Sequence, residues 1–151
     1  MWKKIKGGIA VEEIKERCIS KKEYLKKYDS NVGYALYVRD NIKKDDYARL
    51  NTGEIVKVLG IRENNANKKA IYYGIYETDW FDSAATENFS NEIIDLIECE
   101  DYVNGRKVMY IRDYEEFKRL DFDEDIDDYI YKEDIKTILT KEQFEQNSYK
   151  V

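Results

Sequence analysis

The chain has no histidine and no proline among its 151 residues, only two cysteines, and no apolar run long enough to span a bilayer. Without histidine there is no imidazole base for a nucleophile triad, no histidine metal ligand and no imidazole proton shuttle. Without proline, turns fall to Gly, Asn and Asp, and Asn51 with Gly53 and Asn104-Gly105 stand where two turns are needed. Cys18 and Cys99 belong to no CxxC or Cys/His pattern and are expected as buried thiols rather than as a disulfide. The start, Met1-Trp2-Lys3-Lys4-Ile5-Lys6, is basic but leads into no signal-peptide core. A cytoplasmic protein with no membrane partner is expected. Gly7-Gly8 is too short for a phosphate-cradling loop.

Charge is plentiful and unevenly placed. Residues 1–44 carry 12 Lys/Arg against 6 Asp/Glu, residues 45–111 carry 7 against 13, and residues 112–151 again carry 7 against 13. The body therefore repels phosphate, whereas the N-terminal segment attracts it. Tyrosine, at 14 copies, dominates the aromatic content. Its ring suits half-buried strands, with the hydroxyl left in water.

One pattern occurs twice. Asp45-Asp46-Tyr47-Ala48-Arg49-Leu50 precedes a Gly turn and Lys57-Val58; Glu100-Asp101-Tyr102-Val103 precedes Asn104-Gly105 and Lys107-Val108. An internal repeat sets architecture before local propensity does. It predicts an α+β, mainly β chain: a basic helical segment at 1–44, one small barrel at 45–98 and a second at 99–151 with an acidic loop at 112–128. Predicted strands are 46–50, 54–62, 70–77 and 93–97 in the first barrel. In the second they are 101–103, 106–112, 128–132, 134–139 and 148–151.

In the N-terminal segment, Ile9, Val11, Ile14 and Cys18 share one face of a predicted helix. Ser20-Lys21-Lys22-Glu23 reads as a capping box that opens another, closed by Asp29-Ser30-Asn31. Tyr34–Val38 reads as a strand. Thr140-Lys141-Glu142-Gln143 is a second capping box, with one helical turn through Phe144.

Ser90-Asn91-Glu92 with Ile93–Glu98, Asp101-Tyr102-Val103-Asn104-Gly105 with Lys107-Val108, and Thr140-Lys141-Glu142-Gln143-Phe144-Glu145 with Tyr149-Lys150-Val151 resemble a group of small phage and prophage proteins. These look like tandem SH3-like (KOW-type) barrels. The resemblance covers about the last two thirds of the chain and brings no catalytic residues with it. Glycine is usual in that group before Asp-Tyr-Val, where this chain has Asp45 and Glu100.

The most chemical-looking stretch is Asp121-Phe122-Asp123-Glu124-Asp125-Ile126-Asp127-Asp128. It imitates the opening of a calcium-binding EF-hand loop, but Ile126 replaces the turn glycine and Lys132 the bidentate glutamate. No metal or other cofactor is expected. A solvated acidic loop is the plainer reading; the functional one is mimicry of a phosphate row, offered to a basic groove. Trp80-Phe81, between two aspartates, is the candidate apolar anchor, with core packing as its plainer role. The candidate contacts are thus Asp121, Asp123, Glu124, Asp125, Asp127 and Asp128 with Trp80 and Phe81.

These readings, with the resemblance, imply a non-enzymatic phage or prophage binding protein acting in the host cell. Its expected partner is a host protein with a basic surface, such as a CRISPR-Cas or other nucleic-acid-handling defence effector, which would make it an anti-CRISPR-like inhibitor. The alternative is a nucleic-acid or ribonucleoprotein binder gripping through Lys3, Lys4, Lys6, Lys21, Lys22, Lys26 and Lys27. An enzyme working through carboxylates is the third, since acids are abundant, but no motif selects a pair.

Overall fold

The structure is a computed structural model and describes residues 19–63, 69–74, 79–123 and 128–147. The helix expected around Ile9–Cys18 and the strand expected at 148–151 lie outside these residues. The fold is α+β with strands predominating. It divides into two compact units: residues up to Asn51 with Val56–Glu92, and Thr52–Ile55 with residues from Ile93 onward.

The first unit begins with two helices, α1 (Lys21–Tyr28) and α2 (Asn31–Asn41). Ser20 caps α1, its Oγ accepting from the Glu23 amide at 3.2 Å. Asp29 ends α1 in the left-handed region at φ 46°. Ser30 caps α2 in the same way, accepting from Gly33 N at 2.9 Å. Tyr34–Val38 is therefore helical and not a strand. Tyr34, Val38 and Ile42 recur every four residues, one helical face, and all three are buried. The Tyr34 hydroxyl donates to the Ile19 carbonyl at 3.0 Å, and burial pushes its pKa up strongly.

The strands of this unit are β1 (Tyr47–Leu50), β2 (Ile55–Lys57), β3 (Gly60–Glu63), β4 (Lys69–Tyr72), β5 (Trp80–Phe81) and β6 (Thr86–Ser90). They form two three-stranded sheets, ordered β2-β1-β6 and β3-β4-β5. Their inner residues, Ala48, Leu50, Val56, Ile71, Phe81 and Phe89, with Val58 between β2 and β3, complete one core with the helix face. β6 was not among the predicted strands, since Thr86-Glu87-Asn88-Phe89-Ser90 is mostly polar. It forms because its main chain pairs antiparallel with β1, setting Phe89 opposite Ala48.

Ile93–Leu96 was predicted as a strand and is a 3₁₀ turn. At three residues per turn, Ile94 and Ile97 fall on the same side, and both enter the core of the second unit. Its strands are β7 (Tyr102–Val103), β8 (Arg106–Lys107), β9 (Tyr110–Asp113), β10 (Lys118–Asp121), β11 (Tyr129–Tyr131) and β12 (Ile138–Leu139), followed by helix α3 (Lys141–Asn147). The sheets are ordered β12-β7-β8 and β11-β10-β9. β10 lies inside the segment expected to be an acidic loop. Its one wholly apolar member, Leu120, is fully buried between Ile111 and Ile130 on the flanking strands. Cys99, expected as a buried thiol, is exposed in the turn before β7.

The sequence repeat reappears bond for bond. Asp45 N donates to Val58 O at 2.8 Å, and Glu100 N to Val108 O at 2.7 Å. Val58 N returns to Asp46 O and Val108 N to Asp101 O, each at 2.8 Å. The carboxylates of Asp46 and Asp101 accept from the amides three residues earlier, Lys43 N at 2.9 Å and Glu98 N at 2.7 Å. Asp45 and Glu100 adopt φ of 75° and 79°, the left-handed region that favours glycine. Both positions carry a side chain in that region and accept the strain.

Candidate functional site

β9, β10 and β11 turn alternate residues to opposite faces. Ile111, Leu120 and Ile130 share a cross-strand row and point into the core. The rows on either side place Tyr110, Asp121 and Tyr129 together, and Arg112, Arg119 and Tyr131 together, on the other face.

That outer face is a connected set of rings and guanidinium groups. Tyr114 packs on Phe117 with ring centroids 4.8 Å apart, Phe117 meets Tyr131 edge-on at 5.6 Å, and Tyr131 meets Tyr129 at 5.4 Å. The Arg119 guanidinium lies 4.1 Å from the Tyr129 ring centroid. Asp121 lies almost wholly buried beneath these groups, accepting from Arg112 Nε at 2.5 Å and Arg119 Nε at 3.0 Å. Partial desolvation alone would lower the Arg119 pKa, but the hydrogen bond and charge of Asp121 outweigh it and the pKa rises. The Tyr131 phenol is raised above its ordinary value, first by its hydrogen bond with Tyr129 and then by desolvation.

Tyr110, Tyr114, Phe117 and Tyr131 remain exposed although each sits on, or at the turn of, an ordered sheet. Around them, residues 110–123 and 128–134 hold eight carboxylates against four Lys/Arg. The arrangement is a contiguous aromatic surface in an acidic setting. Among the described residues, no group of three acids or cysteines converges to hold a metal ion.

The residues singled out from the sequence are scattered. Asp121 is buried and tied to two arginines, so it is not part of an exposed acidic row. Asp128 forms a two-pronged ion pair with Arg106, which holds its carboxyl below the ordinary value. Asp123 is exposed, and Glu124, Asp125 and Asp127 lie outside the described residues. Trp80 and Phe81 belong to the first unit and part company there. Trp80 is exposed on β5, whereas Phe81 is buried in the core opposite Ile71. Strand alternation sends neighbouring side chains to opposite faces, so the pair cannot act as one anchor.

Sequence reasoning missed the face itself. The signal was present as a period of two: Tyr110-x-Arg112-x-Tyr114 and Tyr129-x-Tyr131. Compared with protein families, curated proteins and solved structures, the chain matches none.

Proposed function

We propose that this is a non-enzymatic binding protein that engages a basic protein surface through the outer face of β9–β11. The observation that carries the reading is a set of ordered, exposed rings within an excess of carboxylates. Aromatic residues and arginine concentrate at the energetic centres of protein interfaces, and a surrounding field of one sign speeds encounter with the opposite sign. The second unit as a whole carries 18 Asp/Glu against 9 Lys/Arg, which opposes nucleic acid as its ligand.

The reading takes each unit as an SH3-like barrel. Its support is the paired three-stranded sheets and the 3₁₀ turn that precedes the last strand in both, at Ser83–Ala85 and at Lys132–Asp134. Together with the resemblance to phage and prophage proteins, it makes an inhibitor of a host nucleic-acid-handling defence complex, such as a CRISPR-Cas effector, the form of partner proposed. Such effectors present basic grooves, which suits an acidic ligand. Trp80 is a proposed further contact.

The test is capture from a host lysate with the tagged chain and with a Tyr114→Ser/Phe117→Ser version, read by mass spectrometry. One enriched basic protein, lost with the double substitution, is expected. Enrichment of nucleic acid that the substitutions leave unchanged would refute the reading and direct attention to the lysines of α1.

A further inference from the structure

We propose, resting on that reading, that the β9–β11 face selects arginine over lysine in its partner: it is a seat for the guanidinium groups of an arginine-rich segment. The chain already shows the chemistry on itself. Arg119 stacks on Tyr129 at 4.1 Å, and Arg106 stacks on Phe122 at 4.5 Å while its nitrogens grip Asp128. In both cases a planar cation lies on a ring and a carboxylate holds its edge. Tyr110, Tyr114, Phe117 and Tyr131 offer further rings on the same sheet and hairpin, and Glu115 and Glu116 lie between two of them in the β9–β10 turn.

The charge arrangement says why an incoming arginine is accepted where two already sit. Asp121, itself buried, ties the exposed Arg112 and the half-buried Arg119 into one cluster, and the eight carboxylates against four Lys/Arg of residues 110–123 and 128–134 leave the neighbourhood negative. An anionic or neutral segment gains nothing from that field. A lysine gains the charge attraction and a longer ring contact, as Lys27 over Tyr28 at 5.7 Å and Lys57 over Tyr47 at 5.8 Å show, but a guanidinium is planar, weakly hydrated and able to lie closer on a ring while hydrogen-bonding at its edge. The occupant is therefore an arginine-bearing stretch of a basic protein.

The test uses the full chain and two fluorescein-labelled twelve-residue peptides, alternating Arg-Gly and alternating Lys-Gly, titrated by anisotropy at physiological salt. Cation–ring contacts contribute roughly two- to fivefold each at exposed sites, and a lysine keeps part of each, so two of them predict about a fivefold preference for the arginine peptide. Tyr114→Ala/Phe117→Ala should bring the two affinities within about twofold of each other, the charge term alone remaining. A thermal melt of that variant checks its fold, and the comparison of peptides on the unaltered chain needs no variant at all. Equal affinities on the unaltered chain, or a preference that survives loss of both rings, overturns the inference. If neither peptide binds while the lysate partner is still captured through this face, the arginine seat fails and the proposed function stands. If the capture fails as well, both fall.

Discussion

Replacing Asp101 by asparagine tests the hydrogen-bond economy of the second unit at its centre. The side chain is fully buried, and each oxygen has its own amide: Oδ2 accepts from Glu98 N at 2.7 Å, Oδ1 from Lys141 N at 2.9 Å. One bond closes the turn into β7, and the other holds the first turn of α3. Asparagine has the same shape, so no cavity opens, but one oxygen becomes an NH₂ facing a backbone N–H. Hydrogen bonds to a charged group contribute about 1.5–3 kcal/mol, and the surviving bond falls to neutral strength, roughly half as strong. The expected loss is about 3 kcal/mol. For a unit of this size that is a fall in Tm of about 12 °C or more. Urea denaturation followed by circular dichroism measures the loss, and hydrogen exchange at Glu98 and Lys141 locates it. A change below about 0.5 kcal/mol, with both amides still protected, would refute the argument.

Two further outcomes follow from the same geometry. Glu100→Gly should stabilise the second unit by about 1 kcal/mol, because glycine adopts φ of 79° without the clash a Cβ brings; an unchanged or lower denaturation midpoint would contradict this. Asp128 has its pKa lowered chiefly by the Arg106 hydrogen bond, so its contribution is complete above the ordinary aspartate value of 3.8 and disappears as pH falls through the depressed folded value. The stability gap between the natural chain and Asp128→Asn should therefore be constant above about pH 5 and narrow in acid, and a gap that persists at the lowest pH reached would count against the ion pair.

The parts of this protein that depend on short stretches of chain could be read without coordinates. The doubled Asp-Tyr pattern, the caps at Ser20 and Thr140 and the Asn104-Gly105 turn all act over a few residues. Thr140 and Gln143 exchange bonds as a capping box requires, Thr140 N reaching Gln143 Oε1 at 3.0 Å and Gln143 N reaching Thr140 Oγ1 at 3.2 Å. Asn104 and Gly105 both take positive φ, as a two-residue hairpin needs. β10 was hidden for the opposite reason. Lys118, Arg119 and Asp121 look like loop residues until Arg112, from the neighbouring strand, neutralises Asp121 and Leu120 finds its core.

Sequence by itself thus determined the duplication, its turns, the starts of α1 and α3, and the charge of each segment, because these follow from local chemistry and from counting. Only the tertiary structure decided that Asp121 is buried among arginines, that Trp80 and Phe81 face opposite ways, and that Tyr110, Phe117 and Tyr131 share one surface. Those outcomes depend on cross-strand register, which joins residues up to about twenty positions apart and fixes which face each side chain takes.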